Sequence, residues 1–166
     1  LALHNYHDVH LVFPMASYLN IGIPNSQWGW STMILPGLEQ GPLYNQLNVG
    51  SDMLEQAAND PVRLRLLTTP VPVFICPSDP EDNINRNRPF LQKATGGLCA
   101  GMILPAEVQF AKSNYPGSNG NHGSDGIFES GGGKVSIRDI TDGTTNTIMV
   151  GERPSKRYKN QTVATG

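Results

Sequence analysis

The sequence has few cysteines, few charged residues and no basic cluster, and each shortage excludes a class of protein. Its two cysteines, Cys76 and Cys99, are too few for a zinc ribbon and fit either one disulfide or two free thiols. Charged residues make up 16% of the 166 residues, the formal net charge is -2, and acids and bases are interspersed. Because nucleic-acid and anionic-lipid surfaces need clustered basic residues, we expect neither partner.

Long apolar runs and catalytic motifs are also missing. No run approaches the roughly 20 apolar residues of a membrane helix, and no signal peptide opens the chain. The sequence contains no G-x-S-x-G elbow, no G-x-G-x-x-G turn and no Walker loop, so we expect no enzyme activity. Since the chain begins at Leu1 inside a helical pattern, we expect that a preceding segment is absent from it.

Glycine and proline are abundant instead. The 18 glycines and 13 prolines interrupt the sequence throughout, which predicts a loop-rich and largely β protein. A chain of this length forms one domain, which we assign to residues 1–166.

The clearest helical pattern opens the chain. Ala2, Tyr6, Val9 and Phe13 lie at spacings that place apolar side chains on one helix face. Pro14 disfavours helical backbone at the residue before it, so the helix is predicted to end near Val12.

Two short helices are predicted in the middle of the chain. Asp52, followed three residues later by a glutamate, forms a capping-box pattern for a helix that ends near Asn59. Asp60 and Pro61 then match the N-cap and first position of a second helix. Residues 28–35 fit either a strand or a short helix.

The remaining segments favour extended structure. Residues 71–75 are β-prone but bounded by prolines, which predicts an edge strand. Residues 78–101 are polar and irregular, and we assign them as an insertion. The segments 126–129, 134–140 and 146–151, separated by glycine-rich turns, predict an antiparallel meander.

Six blocks in one order carry a resemblance to a known family. They read LALHNYHDVHLVFP, ILPGLEQGPLYNQL, PVPVFICPSDP, NY, DGIF and IRDITDGTTNTIMVGE. The chain resembles a large planctomycete family with a prepilin-type N-terminal cleavage and methylation segment, which has no known function and is also labelled solute-binding. That family often carries a glycine where Leu11 stands here.

The resemblance implies a fold, a function and a location. The fold is α+β and type IV pilin-like, with an N-terminal helix packed on a small antiparallel sheet with long loops. The function is a non-enzymatic structural subunit of a surface filament or secretion system, and the alternative is a membrane-tethered extracellular binding module for a glycan or solute. Its partners are other pilin-like subunits or the assembly machinery. An extracytoplasmic location, with a membrane anchor in the full-length form, also favours the Cys76–Cys99 disulfide.

Three groups of residues are candidate metal sites. His4, His7 and His10 repeat every three residues, which differs from the i, i+4 pair of zinc helices, so we expect packing imidazoles rather than a zinc hydrolase. The acidic cluster after Pro77 fits a solvated face better than a cation site; it contains Asp79, Glu81 and Asp82. A loop rich in oxygen donors fits calcium or an ordinary hydrogen-bonded turn, and the turn is favoured; its donors are Asp139, Asp142, Thr144 and Asn146.

Three aromatic residues are candidates for ligand contact. Trp28, Trp30 and Tyr44 have planar rings that stack on sugars or anchor a partner when they are exposed. Burial in the core is the more common role of such rings, and we favour it here.

Overall fold

The computed structural model describes residues 1–16, 28–85, 108–120, 125–129 and 133–154. Regular structure in these ranges is helical. The α-helices are α1 (Ala2–His10), α2 (Trp30–Met33), α3 (Gly41–Leu47), α4 (Leu54–Asn59) and α5 (Pro61–Leu67). In the same described ranges, 3-10 turns span Leu35–Leu38, Pro72–Phe74 and Ile137–Asp139. No helix in the described part of the chain has the length and apolar composition needed to cross a membrane.

The predicted α+β fold with an antiparallel sheet is wrong. Across the described ranges there is no β-strand, and antiparallel pairing takes the form of single bridges such as Ile84 with Ala111 and Gly117 with Val150. The segments 71–75 and 134–140 each contain a 3-10 turn instead of extended backbone. Because a ladder needs several consecutive extended residues on both sides, segments interrupted by turns pair one peptide group at a time.

Helix α1 ends close to the predicted residue, but its apolar face is only partly buried. Leu11 closes the helix in the left-handed conformation, with φ 60° and ψ 11°, and its N–H donates to the carbonyl of His7 at 2.7 Å. Ala2 and Phe13 are buried, whereas Val9 is 75% exposed. Phe13 lies beyond the helix, where its N–H donates to the carbonyl of Val135 at 2.8 Å. The predicted apolar face is therefore buried at its two ends and exposed at Val9.

The start of α1 packs against the Leu35–Leu38 turn. A Cβ added to Gly37 would lie 3.3 Å from the Cβ of Ala2, so the two backbones approach closely at this point. Tyr6 of α1 and Tyr44 of α3 are both half-buried, and Tyr44 is close enough to affect the titration of Tyr6. Helix α3 therefore lies on the side of α1 that carries Tyr6. Burial and the neighbouring Tyr44 phenol raise the pKa of Tyr6, and burial raises the pKa of Tyr44.

The main core lies between α3, α4 and α5. Its buried members are Trp28, Leu47, Val49, Leu54, Ala57, Ala58 and Val108. Trp28 is 2% exposed, and its indole N–H donates to the carbonyl of Asp52 at 2.8 Å. Small alanines on α4 allow the helices to approach each other around this indole.

The two predicted helices in the middle of the chain are confirmed, although one cap differs. Asp60 accepts hydrogen bonds from the N–H groups of Val62 at 2.8 Å and Arg63 at 3.2 Å, as predicted for the N-cap of α5. Helix α4 ends at Asn59, but its N-cap is Met53, whose N–H donates to the side chain of Gln56 at 2.8 Å. Asp52 instead accepts a hydrogen bond from Arg63.

Candidate functional site

Three aromatic rings from distant parts of the chain form a cluster at the start of α2. Trp30 is the first residue of α2, Phe74 ends the second 3-10 turn, and Phe128 lies in a bend. The rings of Trp30 and Phe128 are stacked, with centroids 4.8 Å apart and an interplanar angle of 24°. Phe74 meets Trp30 edge to face at 6.3 Å and 81°. We call these three residues the aromatic cluster.

Burial differs within the aromatic cluster. Phe128 is 0% exposed, whereas Trp30 and Phe74 are half-buried. Backbone hydrogen bonds fix two of the ring-bearing segments: the Phe128 N–H donates to Ser118 at 3.0 Å, and the Trp30 N–H donates to Ala16 at 3.2 Å. The indole therefore lies on a rigid base while part of it reaches solvent.

Because Gly117 has no side chain, the stacked rings of Trp30 and Phe128 can lie next to its backbone. A Cβ at this position would lie 2.5 Å from Cδ2 of Phe128 and 2.8 Å from Nε1 of Trp30. Real Cβ contacts are not that short, so any side chain at residue 117 would displace a ring of the cluster.

A buried polar network lies next to the aromatic cluster. The N–H of Asn114 donates to the carbonyl of Phe74 at 2.9 Å, which joins the two groups of residues. Lys112 Nζ lies 3.3 Å from Asp79 Oδ2, with the side chains 5% and 4% exposed, and it also donates to the Glu81 carbonyl at 3.1 Å. Such burial of a lysine requires a partner of opposite charge, and Asp79 provides it.

Asn114 is the centre of the polar network. It is 1% exposed, its Oδ1 accepts from the Cys76 N–H at 2.9 Å, and its Nδ2 donates to Asp79 Oδ2 and to the Arg153 carbonyl at 3.1 Å. A buried carboxamide needs these bonds because unpaired polar atoms are costly away from water. We call Asp79, Lys112 and Asn114 the polar triad.

The prediction of a solvated face for the acidic cluster is wrong for Asp79 and agrees with the structure for Asp82. Asp79 is buried against Lys112. Asp82 is exposed and accepts from the Ile84 N–H at 3.2 Å. The spacing of the acids carries no sign of this difference, because the cation that buries Asp79 lies 33 residues further on.

Cys76 is half-buried, and no disulfide is formed among the described residues. Its predicted partner, Cys99, lies outside the described residues, as does most of the predicted insertion at 78–101. The disulfide therefore stays a prediction.

The three histidines of α1 contact aromatic rings. The centroid of His7 lies 5.0 Å from that of Phe13, His4 lies 6.5 Å from Phe13, and His10 lies 4.1 Å from Tyr6. His7 Nε2 also accepts from the Ile137 N–H at 3.3 Å. Half-burial holds only for His7. No group of three or more His, Cys, Asp or Glu side chains in the described ranges has a metal-binding arrangement.

The oxygen-rich loop forms the hydrogen-bonded turn that was the favoured alternative. Asp139 Oδ2 accepts from the N–H and the hydroxyl of Ser136, both at 2.8 Å, and these bonds lower the pKa of Asp139. Asp142 Oδ1 accepts from the Thr147 hydroxyl at 3.0 Å, and its carbonyl accepts from Asn146 Nδ2 at 2.9 Å. Thr144 is exposed in the same turn.

The three aromatic candidates separate by position. Trp28 is in the core, as favoured, Tyr44 lies half-buried on α3, and only Trp30 belongs to the aromatic cluster. Sequence analysis did not identify Phe74 and Phe128 as its partners. Both lie in blocks of the family resemblance, PVPVFICPSDP and DGIF, and shared membership of those blocks was the available signal.

Comparison with protein families matches residues 1–166 to a family described as a protein of unknown function, DUF1559, with the label SBP_bac_10. The chain belongs to the DUF1559 family. No curated protein and no solved structure matches the chain. The resemblance to a family of unknown function with a solute-binding label is thus confirmed, whereas the pilin-like assignment and the planctomycete origin stay predictions. Membership in the DUF1559 family brings no established activity.

Proposed function

We propose that this DUF1559 protein is a non-enzymatic, extracytoplasmic binding module that holds a glycan or a similar solute against Trp30. The observation that carries the proposal is the half-buried indole lying flat on the fully buried ring of Phe128. The solute-binding label of the family supports it.

The arrangement of the aromatic cluster suits a stacking ligand. Planar aromatic faces contact the apolar faces of sugar rings, and tryptophan offers the largest such surface. Because Phe74 and Phe128 hold the indole before any ligand arrives, little side-chain entropy remains to be lost on binding. A ligand would contact the part of Trp30 that the two phenyl rings leave uncovered.

The two tryptophans allow a sharp test by fluorescence. Trp28 is 2% exposed and reports on the core, whereas Trp30 is half-buried and reports on the cluster. Titration of a glycan panel into the Trp28→Phe variant, which keeps Trp30, is expected to change the emission saturably for one glycan class. The Trp30→Phe variant is expected to show no such change while its circular dichroism stays that of the wild type. Saturable binding of equal strength in Trp30→Ala would contradict the site.

A second candidate function, a structural subunit of a surface filament or secretion system, is supported by a different observation. Val9 and Leu11 at the end of α1 are 75% and 71% exposed, and an apolar helix surface is suited to contact with another subunit. Electron microscopy of the full-length protein is expected to show filaments if this function holds, and fewer in the double variant Val9→Ser with Leu11→Ser. Filaments unaffected by these substitutions would contradict assembly through α1.

Two further features belong to the proposal. The location is the cell surface or periplasm, with a membrane anchor in the full-length form, as the family resemblance implies. Calcium at the loop of Asp139 and Asp142 is a secondary proposal, and isothermal titration with calcium chloride tests it. Absence of heat, with an unchanged melting temperature, would remove it.

A further inference from the structure

Lys112 is a buried amine held next to a group that can take its proton. The residue is 7% exposed, and its Nζ contacts Asp79 Oδ2 at 3.3 Å. Asp79 Oδ2 is therefore placed to take a proton from this amine in the course of a reaction. A neutral lysine amine is a nucleophile.

Asn114 presents its carboxamide to the same carboxylate oxygen. Lys112 and Asn114 are buried while Ser113 between them is exposed, so the two side chains lie on the same side of this segment. Asn114 Nδ2 donates to Asp79 Oδ2, which is also the oxygen that Lys112 contacts. The amine, the carboxamide and the proton carrier therefore meet at one atom.

A backbone donor is aimed at the carboxamide oxygen. The Cys76 N–H donates to Asn114 Oδ1 at 2.9 Å, in a site that is 1% exposed. When a nucleophile attacks the carboxamide carbon, negative charge develops on this oxygen, and a fixed N–H group stabilises that charge. The polar triad and Cys76 thus provide a nucleophile, a proton carrier and an oxyanion donor.

We propose that Lys112 and Asn114 join in a self-catalysed amide bond, with Asp79 as the proton carrier. The Lys112 ammonium gives a proton to Asp79, and the neutral Nζ attacks Cγ of Asn114. Asp79 passes its proton to Nδ2, the bond between Cγ and Nδ2 breaks, and ammonia leaves with the second Nζ proton as ammonium. An N–C bond forms, a C–N bond breaks, and no oxidant or reductant is needed.

The cross-link would stiffen a segment that joins several parts of the chain. The Lys112 N–H donates to the Asn83 carbonyl at 3.0 Å, and the Arg153 N–H donates to the Asn114 carbonyl at 2.7 Å. A ring closed through residues 112–114 keeps these backbone groups in their bonded geometry. This chemistry is independent of the proposed function, since it involves no ligand and leaves Trp30 unchanged.

The mass of the intact protein tests the proposal directly. The purified 166-residue chain is expected to weigh about 17 Da less than its sequence mass, the mass of ammonia. Fragmentation is expected to place the loss in a peptide that links Lys112 to Asn114, which trypsin no longer cuts after Lys112. A full sequence mass after prolonged incubation of the folded protein would overturn the proposal. A loss of about 18 Da, the mass of water, with a link from Lys112 to Asp79 would overturn the choice of Asn114.

Two variants separate the cross-link from other losses of ammonia. Succinimide formation at an Asn–Gly pair such as Asn119–Gly120 removes the same mass but does not involve lysine. Lys112→Arg keeps a cation beside Asp79 and is expected to restore the full mass. Asp79→Asn keeps the side-chain size, removes the proton carrier and is expected to do the same. Circular dichroism checks that each variant is folded, and an unchanged mass loss in Lys112→Arg would overturn the proposal.

Discussion

At the scale of single residues, Leu11 matters through its backbone conformation at the end of α1 more than through the packing of its side chain. The residue closes α1 with a positive φ of 60°, a conformation that costs an L-residue roughly 1–2 kcal/mol and costs glycine much less. Its side chain is 71% exposed and buries little. This left-handed backbone is the conformation that glycine adopts most readily at the end of a helix.

The first prediction concerns this residue. Leu11→Gly is expected to raise the free energy of unfolding by about 0.5 kcal/mol, because relief of the strained backbone exceeds the added flexibility of the unfolded chain. Urea denaturation measures the change. Leu11→Ala keeps the positive φ and serves as the control, with no gain expected. A loss of stability in Leu11→Gly would show that the leucine side chain contributes a contact that outweighs its backbone strain.

The second prediction concerns Gly117. Gly117→Ala is expected to lower the free energy of unfolding by about 2 kcal/mol, because the new methyl group overlaps the stacked rings of Trp30 and Phe128. Near-ultraviolet circular dichroism should lose part of its tryptophan signal at the same time. Gly151→Ala is the matched control, since a Cβ there has no neighbour within 4 Å. Equal effects of the two substitutions would contradict the packing of the aromatic cluster.

At the scale of elements, the caps of the short helices are set by local chemistry. The bonds from Arg63 and Val62 lower the pKa of Asp60 below its ordinary value of 3.8. The folded state therefore binds the proton less readily than the unfolded state. The stabilising effect is complete above about pH 5 and is lost as the pH falls through 3.8 and then through the folded pKa.

The third prediction follows from the lowered pKa of Asp60 in the folded state. Asp60→Asn keeps a side-chain acceptor for the α5 N-cap but removes the titrating group, so its melting temperature is expected to depend less on pH in the acidic range than that of the wild type. Thermal melts from neutral pH to about pH 2.5 measure the difference. Asp82→Asn is a control of the same chemistry outside the helix caps. Identical acid profiles for wild type and Asp60→Asn would show that the cap charge is not coupled to folding.

The N-cap of α5 could be predicted from the sequence, whereas the exposure pattern of α1 could not. Asp60 and Pro61 were identified from local spacing alone, because an N-cap depends on neighbours within three residues. The exposure of Val9 was not predictable in this way. It depends on which elements pack against α1, and these are the turn at Leu35–Leu38 and the segment near Val135.

At the scale of the whole molecule, the polar triad joins segments that are far apart in sequence. Asn114 alone connects to Phe74, Cys76, Asp79 and Arg153 through backbone and side-chain hydrogen bonds. The described ranges contain no β-sheet. Hydrogen bonds of this kind therefore connect segments that are distant in sequence, as a β-ladder does in other folds.

The fourth prediction tests this role. Asn114→Ala is expected to lower the free energy of unfolding by about 3 kcal/mol, because the Cys76 N–H loses its acceptor in a buried site. Chemical denaturation measures the loss. The exposed neighbour Ser113 supplies the control, and Ser113→Ala is expected to change stability by less than about 0.5 kcal/mol. A loss in Asn114→Ala no greater than that of the control would contradict the central place of the network.

The sequence by itself determined the opening helix, helices α4 and α5 with the N-cap of α5, the turn at Asp142 and the family, because each depends on local spacing or on blocks read in order. It did not determine whether β-prone segments become strands, since that depends on partners distant in the chain, and turns within those segments prevented ladders from forming. Only the tertiary structure decided that Asp79 is buried beside Lys112 and that Trp30 rests on Phe128. Both outcomes depend on contacts between residues more than 30 positions apart, for which local periodicity has no signal.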